Sequence, residues 1–141
     1  MSGVEWVVDA RGCDPAALAD LGRLQRLFTR LIDELGLHPV RDTLWHQFAG
    51  AGGLTGVCLL AESHLACHTC PEYGSLCLNL FCCRPRPEWD FPAHLRREFA
   101  ASEIMVRRLE RAYDHEPACS QLSELRSVGP VPVVQRGPDH V

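Results

Sequence analysis

The sequence contains no lysine: all 14 of its basic residues are arginine. A genome rich in arginine codons accounts for the bias, yet it still excludes chemistry. An enzyme that joins pyridoxal phosphate through a lysine Schiff base is ruled out, as is any lysine nucleophile or base. Excess charge of one sign is missing as well. A net charge of -4 gives no reason to expect a nucleic-acid partner. No apolar run is long enough to cross a bilayer, which argues against a membrane partner. The first residues, MSGVEWVVDARGCD, lack the basic region and apolar core of a secretory signal. These absences predict a cytoplasmic protein whose eight cysteines are reduced rather than disulfide-paired.

A chain of 141 residues can bury about two-thirds of its unfolded surface as one domain. Residues 1–113 carry the periodic segments. Residues 114–141 are rich in Pro and Gly, lose periodicity, and read as an irregular tail. Val4, Trp6 and Val8 alternate as a strand. Asp14 and Pro15 have the chemistry of a helix N-cap and first turn. Leu18, Leu21, Leu24, Phe28, Leu31 and Leu35 then continue as one amphipathic helix closed by Gly36. Leu37 to Phe48 reads as a turn and a strand, 49–53 as a glycine-rich loop, and Leu54 to Ala61 as a buried apolar strand. In Ser75 to Cys83, Leu76, Leu78, Leu80 and Cys82 face one way, and Cys77, Asn79, Phe81 and Cys83 the other. The leucine face should pack on helices, leaving the chemistry-capable groups opposite. Asp90 can cap a further helix from about Pro92. The residues beyond fit either one long helix or a helix followed by a strand from Glu103 to Glu110.

Leu59 to Cys83 concentrates the reactive side chains: His64, His68, five cysteines and the triplet Glu62-Ser63-His64. Three readings compete. Cys67, Cys70, Cys82 and Cys83 with the histidines resemble a zinc set, but on extended strands each cysteine pair points to opposite faces, so no metal is assigned. Cys13, Cys58, Cys77 and Cys119 are read as small apolar packing groups. His38, His46, His94, His115 and His140 are read as surface or locally bonded histidines. The third reading is a self-made cofactor. Attack of the Ser63 hydroxyl on the Glu62 carbonyl would turn the peptide bond into an ester. Elimination and hydrolysis would then leave a pyruvoyl group at residue 63. Such a carbonyl forms a Schiff base with an amine substrate and acts as an electron sink, without any lysine.

Leu59-Leu60-Ala61-Glu62-Ser63-His64, His68-Thr69, Pro71-Glu72-Tyr73-Gly74 and Phe81-x-Cys83 resemble the signature of the small prokaryotic S-adenosylmethionine decarboxylases. The resemblance covers roughly Val4 to Glu110. It implies an α+β fold, a two-layer α/β sandwich with an antiparallel sheet packed on helices, which favours the helix-then-strand reading after Pro92. It also implies homodimers with active sites near the interface. By that resemblance the chain cleaves itself between Glu62 and Ser63, and Ser63 becomes the pyruvoyl group. His68 and Thr55 assist processing, and Cys83 reprotonates the substrate carbon. Glu72 holds the substrate, Phe48 offers an aromatic platform, and Cys70 lies beside them. The implied product supplies aminopropyl groups for polyamine synthesis.

Three positions depart from the family pattern: Cys70 replaces a tryptophan, Asn79 an aspartate, and Arg84 a glycine. They motivate one alternative, and a second comes from a different functional class. In one, the same chemistry acts on another amino acid such as arginine or ornithine. In the other, the chain is an unprocessed homologue that serves as a binding or regulatory subunit.

Overall fold

Alternation along the strands decides the architecture. The computed structural model describes residues 2–113, so the expected tail, with Cys119, His115 and His140, lies outside the described residues. Strand β1 (Ser2–Arg11) is followed by two helices, α1 (Pro15–Leu18) and α2 (Leu21–Glu34). Then come β2 (Leu44–Gln47), β3 (Leu54–Leu60), β4 (Ser63–Cys70), β5 (Ser75–Cys82), helix α3 (Phe91–Phe99) and β6 (Glu103–Ala112). The six strands form one sheet in the order β2-β3-β4-β5-β1-β6, antiparallel at every pair. This is the expected two-layer α/β sandwich, and the segment after Pro92 is a helix followed by a strand. No helix among the described residues is long and apolar enough to cross a membrane.

One face of the sheet is covered. Val4, Trp6, Val8, Leu65, Leu76, Leu78 and Leu80 point inward and are buried. Helix α2 supplies Leu24, Leu27, Phe28 and Leu31 at three- and four-residue spacing, and α3 supplies Phe91, Leu95 and Phe99. Phe28 meets Trp45 of β2 with ring centroids 4.9 Å apart. A Cβ on Gly56, across from Trp45, would lie 2.3 Å from that ring, so only glycine fits there. Truncating a buried leucine such as Leu80 to alanine would cost about 2–5 kcal/mol.

The expected single helix from Pro15 to about Leu35 is two. Asp20 interrupts it, because its side chain accepts a hydrogen bond from the Arg23 amide at 3.1 Å and so caps a new helix start. Strand β3 also departs from expectation. Leu54, Cys58 and Leu60 are buried, but Val57 and Leu59 are 45% and 56% exposed. They lie on the second face of the sheet, which none of the described helices covers.

Candidate active site

The open face of the sheet carries Thr55, His64, His68, Cys77 and Asn79; Ser63, at the strand end, pairs with the buried Leu60 and Cys82, and its hydroxyl lies against His64. Thr55 pairs with His68, and His68 with Cys77. His64 pairs with Phe81, and Ala66 with Asn79. The register therefore aligns the chemical groups of β3, β4 and β5 on one surface. It also separates them into two clusters. Ser63 and His68 lie five residues apart on β4, roughly 17 Å at the rise of an extended strand. Within one chain the two side chains do not meet.

The first cluster surrounds the Glu62–Ser63 peptide bond. A tight turn at Ala61-Glu62 joins β3 to β4. The sequence gives no glycine or asparagine there to announce it. Other contacts hold the turn: the Ala61 amide donates to the His38 carbonyl at 2.8 Å, and the Cys83 amide donates to the Glu62 carbonyl at 2.9 Å. The Glu62 side chain is buried. It accepts from the His38 amide at 3.1 Å and from Arg86 Nη2 at 2.9 Å, and it bonds the His38 ring. Burial alone would raise its pKa. Hydrogen bonds from the His38 side chain and from backbone amides outweigh that effect and hold the carboxyl below the usual range.

Ser63 is half-buried, with a φ of 156° that non-glycine residues seldom adopt. Its Oγ lies 3.2 Å from His64 Nδ1. His64 Nε2 lies 2.7 Å from Asn79 Oδ1. Asn79 Nδ2 donates to Glu5 Oε1 at 2.9 Å, and Arg111 pairs with the other Glu5 oxygen. The hydrogen bond from Asn79 is the main cause holding the Glu5 carboxyl below its usual range. Cys83 is half-buried at the end of β5, one residue beyond Cys82, the strand partner of Ser63.

The second cluster lies at the other end of β4. Thr55 Oγ1 is 2.7 Å from His68 Nδ1. The Phe48 ring meets His68 edge-on at 5.7 Å and is itself met by His46 at 4.5 Å. Phe48, His68, Cys70 and Glu72 line an open cavity of about 280 Å³, bordered also by the 49–53 loop. A second hollow of about 340 Å³ runs over the open face beside Thr55, His68, Cys77 and Asn79, so His68 borders both. Phe48 is 44% exposed and Glu72 is exposed, so the aromatic ring and the carboxylate are both available to a ligand.

The structure also sorts the cysteines. Cys67 and Cys70 lie on opposite faces of β4, and Cys67 is buried with its thiol pushed up to about 12 by desolvation. Burial likewise raises Cys82 to about 11. Cys13 and Cys58 are buried packing groups as expected. Cys77 is not: it is exposed on the open face. Its thiol is nonetheless pushed up, first by desolvation against the sheet and then by Asp9. Arg84 is exposed and nothing in the structure explains it.

Sequence reasoning gave no role to His64, Asn79, Glu5, Arg111, His38 or Arg86 at the first cluster. Their convergence depends on strand register and on the return of β6 beside β1, which no local pattern encodes. The one signal within reach was the alternation of β5, which sets Asn79 on the face of Cys83.

Comparison with known proteins places the chain among relatives. The sequence profile of the S-adenosylmethionine decarboxylase family matches residues 4–112. A protein of Moorella thermoacetica named S-adenosylmethionine decarboxylase proenzyme is 28% identical over 122 residues, covering 86% of this chain and 96% of the relative. The proenzyme of the same name from Acetivibrio thermocellus is 32% identical over 116 residues, covering 82% of this chain and 92% of the relative. The crystal structure of the adenosylmethionine decarboxylase from Aquifex aeolicus superposes with a TM-score of 0.68 at 24% identity. That superposition covers 81% of this chain and 93% of the other, and supports the fold.

Proposed function

Because the chain belongs to the S-adenosylmethionine decarboxylase family, we propose that it is a self-processing decarboxylase of S-adenosylmethionine. In this reading the chain cleaves between Glu62 and Ser63, and Ser63 becomes a pyruvoyl group. The product supplies aminopropyl groups for polyamine synthesis. The observation that carries the reading is the junction itself. A serine hydroxyl sits against a histidine nitrogen, and the Glu62 carbonyl oxygen already accepts the Cys83 amide at 2.9 Å. An N–H aimed at that oxygen stabilises the charge that grows on it when a nucleophile attacks. The residues present fit the group, since its formation needs only the serine, a base and water.

A pyruvoyl group supplies a ketone carbonyl that draws off the electrons left when carbon dioxide departs. The chain's own residues do the rest. The Phe48 face can stack on a purine, and the Glu72 carboxylate can accept from ribose hydroxyls. Cys83, beside the Ser63 end, is the proton source for the substrate carbon. His68, held by Thr55, is the base for the α-proton of Ser63 during processing.

The last assignment needs a second copy of the chain. A two-fold axis near the middle of β4, with open faces opposed, would lay the Ser63 end of one copy over the His68 end of the other. Packed sheets stand about 10 Å apart, within reach of opposed side chains. Exposed Leu44, Val57, Leu59 and Met105 on the open face support such burial. The resulting homodimer has two composite sites.

Intact mass and a denaturing gel test the proposal. Fragments 1–62 and 63–141 are expected, the second blocked to N-terminal sequencing, with carbon dioxide released from S-adenosylmethionine. A chain that stays whole on long incubation contradicts self-processing and favours a non-catalytic binding or regulatory subunit. Release from arginine or ornithine alone would assign the cavity at Cys70 to another amino acid.

A further inference from the structure

The Ser63 end contains a base that the family signature alone does not single out. Glu5 fixes the chain of contacts, because a carboxylate only accepts hydrogen bonds. Asn79 must therefore turn its NH₂ toward Glu5, as the 2.9 Å contact has it, and its oxygen toward His64. That oxygen also only accepts, so His64 carries its proton on Nε2. The lone pair on Nδ1 then faces the Ser63 hydroxyl at 3.2 Å. Where the family pattern has an aspartate, this chain has an amide, which can donate to Glu5 as an ionised aspartate could not. Glu5 is in turn held by Arg111, whose guanidinium also lies 5.5 Å from the Phe81 ring centre.

We propose that His64 is the base that takes the Ser63 hydroxyl proton in self-cleavage, and that Asn79, anchored by Glu5, is the positioning residue that sets its tautomer. The assignment rests on the self-processing reading above. Ser63 Oγ bonds to the Glu62 carbonyl carbon while its proton passes to His64 Nδ1. The bond from that carbon to the Ser63 nitrogen breaks, and the imidazolium returns the proton to the departing nitrogen. The product is an ester with a free amine, an isomer of the starting chain. Loss of the α-proton then expels Glu62 as a carboxylate, and water replaces the nitrogen as ammonia. Two histidines thus divide two protons. His64 handles the hydroxyl proton within its own chain, and His68 of a second copy handles the α-proton.

Hydroxylamine separates the two steps, because it cuts esters and leaves peptide bonds intact. Purified full-length chains are followed by gel and mass spectrometry with and without it. His64→Ala is expected to cleave at least about 100-fold more slowly than the native chain. It should show no hydroxylamine-sensitive ester and recover with added imidazole. His68→Ala is expected to accumulate the ester. Adding Asn79→Leu to His68→Ala should slow ester formation roughly tenfold, the effect of one lost hydrogen bond. Should His64→Ala fail to fold by circular dichroism, His64→Gln keeps the size and polarity without the base and must show the same loss. Native-rate cleavage in the folded histidine variant, or an ester that accumulates there as in His68→Ala, overturns the assignment alone. A native chain that never cleaves overturns the self-processing reading, and this assignment with it.

Discussion

The two ends of β4 share a strand but are built differently. At the Ser63 end each polar group is tied to another: Glu62 to His38 and Arg86, and His64 to Asn79, Glu5 and Arg111. At the His68 end, Thr55 is the one hydrogen-bond partner of the histidine among the described residues, and Phe48, Cys70 and Glu72 border open space. A bond that must be broken once, in the chain's own backbone, calls for fixed geometry. A cavity that admits and releases a ligand calls for exposed, lightly tethered groups. Under the proposed function the contrast separates a processing end from a substrate end, some 17 Å apart along the strand, which is the ground for proposing that a second copy completes each site.

Variants at each end should fail differently. The largest effect on turnover is expected at Cys83→Ala. The backbone amide that holds the Glu62 carbonyl survives that change, so cleavage should proceed. Decarboxylation should fall by about 10²–10⁴ for loss of a positioned acid. Unchanged turnover of the cleaved protein would remove Cys83 from the chemistry. A smaller effect is expected at Phe48→Ala, which leaves cleavage intact and removes a stacking partner. Aromatic stacking is worth about 0.5–1.5 kcal/mol, so KM for S-adenosylmethionine should rise roughly two- to tenfold. A substrate without a purine should be indifferent to the change, which would sharpen the assignment of this end to the nucleoside.

The covered face of the sheet was legible from the sequence, and the open face only in part. Leu76, Leu78, Leu80 and Cys82 alternate as strand residues do when a single face packs on helices, and all four are buried. Asp90 caps α3, accepting from the Ala93 amide at 3.0 Å, as its position before Pro92 suggests. The break at Asp20 was hidden because the leucine spacing continues across it. A capping side chain competes with periodicity only through its own hydrogen bond. Val57 and Leu59 read as buried because a run of apolar residues looks the same whether its strand is covered on one face or on both. The turn at Ala61-Glu62 carries no turn chemistry, since long-range bonds from His38 and Cys83 hold it. The identity of Ser63, His68 and Cys83 as a set came from the motif. Their division between two ends came from register, and so did the place of His64.

Complementation between two inactive variants probes the proposed composite site. Ser63→Ala lacks the group to be converted, and His68→Ala lacks the base expected from the opposite copy. Neither chain should process when expressed alone. In mixed dimers one of the two sites has Ser63 from the His68→Ala chain and His68 from the Ser63→Ala chain. Co-expression is expected to restore cleavage, the cleaved chain being the one carrying His68→Ala, and turnover is expected to return with it. Isolated mixed dimers in which both chains stay whole would contradict the composite site.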